Sequence, residues 1–139
     1  MSNQAIRQLL DSRLQTWAQA QQPALAGAWE NVPFTPTPGA PYLRPFLLPA
    51  RTVAADLSGV LSTWRGVYQV DVVTPINAGP GAADAIADQL AALFPAFLRL
   101  TGGDVVLQIM SPASAAKGVQ DANGYTVPVS FQYRADSIT

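Results

Sequence analysis

The sequence predicts an α+β domain: a single, mainly antiparallel sheet with two helices packed on one face, plus a proline-rich extended arm. Three observations carry this. Ile6, Leu9, Leu10, Leu14 and Trp17 recur at helical spacing, and Ile86, Leu90, Leu93 and Phe94 do so again later. Arg65–Pro75 and Tyr125–Arg134 alternate with the period of two that a half-buried strand requires. Between Glu30 and Leu57, six prolines interrupt an otherwise apolar stretch. With 139 residues the chain suits one domain, 1–139. We place an arm and loop region at about 30–64 and a flexible tail at 135–139 within it.

The first helix is capped by Ser2 or Asn3 and frays near Gln21 and Gln22, with Pro23 as a boundary. Its apolar stripe seeks a core; a membrane-surface helix would carry more Lys and Arg opposite that stripe. Pro23–Trp29 forms a short strand with Leu25, Gly27 and Trp29 on one side. Glu30–Pro41 is an extended loop. In the following YLRPFLLPARTVAADL, Pro45 and Pro49 bar a central strand. Phe46, Leu47 and Leu48 are consecutive, so one face cannot bury all three. An edge strand pair or an arm reaching a neighbouring subunit fits this pattern, against the plainer reading of a loop packed on its own domain.

Arg65–Pro75 is a strand with Tyr68, Val70 and Val72 on its core face and Gln69 and Asp71 beside Val67 and Val73 on the other. Asn77–Gly81 turns into a helix over Ala82–Phe94, where Ala83 and Ala87 allow close approach. Thr101-Gly102-Gly103 turns the chain back, and Val105, Leu107 and Ile109 mark a strand. Ser111–Asn123 is a small-residue, mobile loop, and Asn123-Gly124 a turn. In the last strand Tyr125, Val127, Val129, Phe131 and Tyr133 share one side, and Pro128 favours an edge position or an outward-pointing nitrogen.

Composition excludes several function classes. There is no cysteine and no histidine, which removes a disulfide frame, a thiolate nucleophile, a Ser-His-Asp triad and the commonest metal ligand. Net charge is -1 and the eight Lys and Arg residues are scattered along the sequence, so gripping nucleic acid through phosphates is not expected. Charged residues make up 12%, about half the usual ~25%, which points to surface shared with other subunits, a neutral-surfaced monomer being the alternative. No basic and then apolar leader opens the chain, and no apolar run reaches ~18 residues. Gly79-Pro80-Gly81 lacks the lysine of a phosphate loop, and Asp84 in the first helical turn would repel an anion. Asp84 and Asp88, at i, i+4 without a third ligand, read as a solvated face. We therefore expect no enzyme activity, cofactor or metal.

Taken in order, IRQLLDSRLQTWA, AWENVPFTP, PYLRPFLLPA, GVYQVDVVTPINAGPGAADAIADQLAALFP and GYTVPVSFQYRA resemble the tail terminator, or tail completion, proteins of long-tailed bacteriophages and prophages. The resemblance spans roughly Ile6–Ala135, and the strand-turn-helix is its most specific part. It implies a fold like that of tail-tube subunits and a virion protein made in the bacterial cytoplasm. Such a protein caps the tail tube as a ring, usually of six copies, stops polymerisation and offers a surface to the head connector. Its partners would be itself, the tube protein and the connector, with DNA only as passive cargo and no membrane. On that reading Tyr42, Arg44, Phe46, Leu48, Arg51 and Trp64 are candidates for the subunit interface, Trp64 serving core or interface equally well. Gln69 and Asp71 are candidates for the channel wall, and Lys117, Gln120 and Asp121 for a partner-contact loop. The competing expectations are another head–tail joining or tail-tube protein and, from a different class, a small-molecule-binding or enzymatic domain.

Overall fold

A computed structural model describes residues 3–22, 24–50, 53–54, 61–77, 79–121 and 124–138. Helix α1 (Asn3–Gln19) is followed by β1 (Ala26–Gly27), β2 (Tyr42–Pro49), β3 (Val53–Ala54) and β4 (Leu61–Thr74). Helix α2 (Gly81–Leu93) leads into β5 (Arg99–Gly102), β6 (Val105–Ile109), β7 (Ser114–Ala115), β8 (Val119–Asp121) and β9 (Gly124–Ile138). The strand order is β1-β2-β4-β9-β6-β5, with β3 on β4 and both β7 and β8 on β9.

The sheet is mixed, not mainly antiparallel as the sequence predicts: β1 joins β2 in parallel, while the remaining described pairs are antiparallel. It is also curled. Helix α1 touches β1 and β2 near one edge and β5 and β6 at the other, which a flat sheet of this width would not allow. The closeness shows at Gly102 of β5, where a Cβ would lie 2.8 Å from the Leu9 side chain.

One core fills the concave side. Ile6, Leu10, Leu14 and Ala18 descend from α1, and Ala83, Ala87 and Leu90 from α2. Leu9, Trp17, Ile86 and Leu93, placed on the apolar stripes by sequence, are only partly buried around this core. Tyr68, Val70 and Val72 of β4 and Val127, Val129, Phe131 and Tyr133 of β9 complete it from below, as their alternation predicts. Tyr68, Phe94 and Phe131 form its aromatic centre, with ring centroids 5.0–5.9 Å apart. Arg13 of α1 donates from Nε to the Leu93 carbonyl at 2.8 Å, placing a cation at the C-terminal end of α2.

Several expectations give way here. No proline-rich arm is present over 42–49: that stretch is strand β2, paired residue for residue with β4. Leu47 N–H goes to Glu30 and the Leu43 carbonyl accepts from Ala28, so the odd-numbered peptide groups of β2 face away from β4. Pro45 and Pro49 are odd-numbered, and their missing N–H groups cost the β2–β4 ladder nothing. Pro128 lies on β9 in the middle of the sheet, not at an edge. Its carbonyl accepts from Ala116, so its nitrogen also faces away from β4, towards the gap between β7 and β8. Ser111–Asn123, read as a mobile loop, contributes β7 and β8 to β9. The predicted flexible tail is strand as well: Ala135–Ile138 continue β9, held by β4 on one side and β6 on the other. Pro23, proposed as the first boundary, lies outside the described residues.

Candidate functional site

Residues directly opposed in antiparallel strands share a face. Tyr42, Arg44, Phe46 and Leu48 of β2 oppose Val73, Asp71, Gln69 and Val67 of β4. These in turn oppose Thr126, Pro128, Ser130 and Gln132 of β9. The register thus gathers four of the interface candidates and both channel candidates on the convex side of the sheet, away from the helices. Trp64 is on an even-numbered position of β4 and packs against the core instead. Arg51 lies outside the described residues.

Asp71 does not stand free on that face. It is 6% exposed, and its Oδ2 accepts from Arg44 Nη2 at 3.0 Å while Oδ1 accepts from Gln69 Nε2 at 2.8 Å. The Arg44 guanidinium also lies 5.9 Å from the centre of the Phe46 ring. A buried carboxylate needs this enclosure, since an unpaired one would carry its desolvation cost uncompensated. The two channel candidates are therefore coupled to each other and to an interface candidate.

Beside them the proline loop folds over the edge of the face. The Phe34 ring packs against Tyr42, tilted by 44° with centroids 5.0 Å apart, and Phe34, Pro36, Tyr42, Arg44 and Phe46 line a shallow groove. Glu30, a residue that sequence reasoning passed over, also lines the groove. Trp29–Val32 is a tight turn with Asn31 at φ 58°, a conformation that asparagine tolerates. The turn aims Glu30 back at β2, where Oε1 accepts from Leu47 N–H and from Arg7 Nη1, both at 2.7 Å. Burial pushes the Glu30 carboxyl up, but Arg7 and the Leu47 N–H outweigh it and hold the group below its ordinary range. The only sequence signal was a lone acidic residue three positions before a proline.

A second acidic residue, Asp11 of α1, accepts from the Tyr68 hydroxyl at 2.5 Å. Burial raises Asp11 above the usual carboxylate range despite that bond and Arg7. Burial first, and then the charge of Asp11, raises Tyr68 well above the ordinary phenol. Opposite Gly66, the Tyr133 hydroxyl is buried with no hydrogen-bond partner among the described residues. A Cβ at Gly66 would lie 2.6 Å from that oxygen, so the ring occupies the space a side chain would take.

The loop candidates separate. Lys117 is exposed between β7 and β8. Gln120 Nε2 donates to Asn77 Oδ1 at 3.2 Å, tying β8 to the turn before α2. The backbone of Asp121 pairs with Gly124. Asp84 and Asp88 are both exposed on α2, as the solvated-face reading expects. Among the described residues no cluster of three or more His, Cys, Asp or Glu could hold a metal ion, and no helix is long and apolar enough to cross a membrane. What the site offers is surface: a broad sheet face with one clamped carboxylate and an aromatic groove at its border.

Comparison with known proteins gives this surface a context. The profile of a family described as phage tail terminator protein matches residues 5–133. No curated protein matches the sequence. Seven chains of solved structures do. One of them is 38% identical and superposes with a TM-score of 0.83, over 97% of this chain and 96% of its own.

Proposed function

We propose a function from one premise, that the chain belongs to the phage tail terminator protein family: it closes the end of a phage tail tube. As a member of that family it is a structural protein of the tail and a component of the virion. In the proposed role, copies form a ring, six by resemblance to the family, that seats on the last tube subunits, stops polymerisation and presents a surface to the head connector. DNA passes through the ring without being gripped. The observation that carries the reading is the family match across nearly the whole chain, 5–133.

The end of the convex sheet face around Gln69 supports it, since the carboxylate there, Asp71, is already neutralised by Arg44. A channel wall that passes DNA must avoid both strong attraction and strong repulsion of phosphates. We place Gln69 and Asp71 towards the channel, and Lys117 and Gln120 towards the tube or connector. The test is to add purified protein to tails that polymerise without a terminator and to measure their lengths by electron microscopy. Elongation should stop. Tails that keep growing past their normal length in the presence of excess protein would refute the proposal.

A further inference from the structure

The sheet register assembles something the scattered arginines of the sequence conceal. Arg99 of β5 opposes Gln108 of β6, Gln108 opposes Arg134 of β9, and Arg134 opposes Arg65 of β4. Opposed residues share a face, so these four form one row across four strands on the convex side. Arg65 and Arg99 are exposed, and neither has an ion-pair partner among the described residues. Among the described residues the one ion-pair partner of Arg134 is Asp136, at 3.4 Å, and Asp136 is itself half exposed and also accepts from Thr63. Like charges directly opposed across two strands are destabilising. Arg65 and Arg134, with Cβ atoms about 5 Å apart, are such a pair, and an acidic partner would offset their repulsion.

The complementary surface is on the same chain, on its other side. Asp84 and Asp88 of α2 are exposed and have no ion-pair partner among the described residues. They lie about 6 Å apart along the helix axis, close to the spacing of Arg65 and Arg134. Exposed Ala82, Ala85 and Ala92 surround them, and the exposed Gln89 beside them is uncharged and unbranched, so the two carboxylates are open to a flat surface. Around the arginine row stand Leu48, Val106 and Met110, three of the large apolar side chains that the chain leaves exposed.

We propose that the arginine row of one copy docks the exposed face of α2 of a second copy, with Asp84 and Asp88 set against Arg134 and Arg65. The contact joins two different surfaces, so each copy keeps one free surface for the next, as a closed ring requires. It lies about 13–20 Å along β4 from Gln69 and Asp71, leaving that end of the face open to a channel. The contact rests on the reading that copies of this chain assemble, and its test separates the two.

Two variants reverse the charges, Arg65→Asp with Arg134→Asp, and Asp84→Arg with Asp88→Arg. All four positions are at the surface, and circular dichroism verifies that the variants fold. Self-association is measured by sedimentation at low salt, where exposed charges are least screened. Each variant alone should associate about tenfold or more weakly than the natural chain, and an equimolar mixture of the two should recover. The same proteins are then compared on tails lacking a terminator. Unchanged association and capping by both variants overturns the proposal, as does a loss that the mixture fails to restore. Loss with the arginine variant alone, together with lost binding to duplex DNA, overturns it in favour of phosphate contacts. A natural chain that associates neither in solution nor on tails overturns it too. Recovery by the mixture in a protein that never caps tails would leave the contact standing and remove the terminator reading.

Discussion

At the scale of single residues, the charge that matters most to the sheet face is held in a fixed place. Asp71 was legible in the sequence as the one carboxylate on the polar side of a strand; its clamping was not, because Arg44 is 27 positions away and only the β2–β4 register brings the two together. Arg44→Met leaves the buried carboxylate held by Gln69 alone. We expect a loss of about 1–3 kcal/mol in denaturant unfolding. Adding Asp71→Val, which removes the stranded charge, should recover most of it. If Arg44→Met alone leaves the midpoint unchanged, the clamp contributes nothing to the fold. The same non-locality hid the arginine row: Arg65, Arg99 and Arg134 are far apart in sequence and adjacent only through three successive strand pairings.

At the scale of elements, period and breakers predicted what was local. Tyr68, Val70 and Val72 took the core face, and Ile6, Leu10 and Leu14 the buried stripe of α1, because those assignments depend on spacing alone. Pro45 misled because the partner strand decides its cost, whereas Pro128 keeps the outward-pointing nitrogen that its sequence allowed. Pro45 and Pro128 both sit in paired strands, each with its nitrogen turned away from the long β4 ladder. The strands over Ser111–Asp121 and the end of β9 carry weak propensity and exist because neighbouring backbone offers hydrogen bonds. Glu30 acts at this scale too, joining α1 to β2 through Arg7 and Leu47. Its carboxyl is held low, so its stabilising effect is present above the ordinary carboxylate range and is lost as pH falls through the lowered value. Asp11, raised by burial, acts oppositely: its contribution is present in acid and lost as pH rises. Glu30→Gln should therefore flatten the fall in thermal midpoint between about pH 5 and pH 3. Parallel midpoint curves for variant and natural chain would show that the Glu30 bridge is not part of the acid response.

At the scale of the whole molecule, one curled sheet separates two roles. Its concave side closes on α1 and α2 and supplies the core. Its convex side carries a clamped carboxylate at one end and an arginine row at the other. The family was legible in the sequence because it rests on the order of whole segments, and the match over 5–133 bears that out. The surfaces were not legible, since a face is a product of register and curl. In the proposed role the protein acts once per tail, whereas a tube subunit would repeat along its whole length. The most direct measurement is therefore the position of this protein in the particle, by labelling it and imaging intact virions. The account predicts label confined to the head-proximal end of the tail. Label spread along the tube, or absent from the tail, would contradict it.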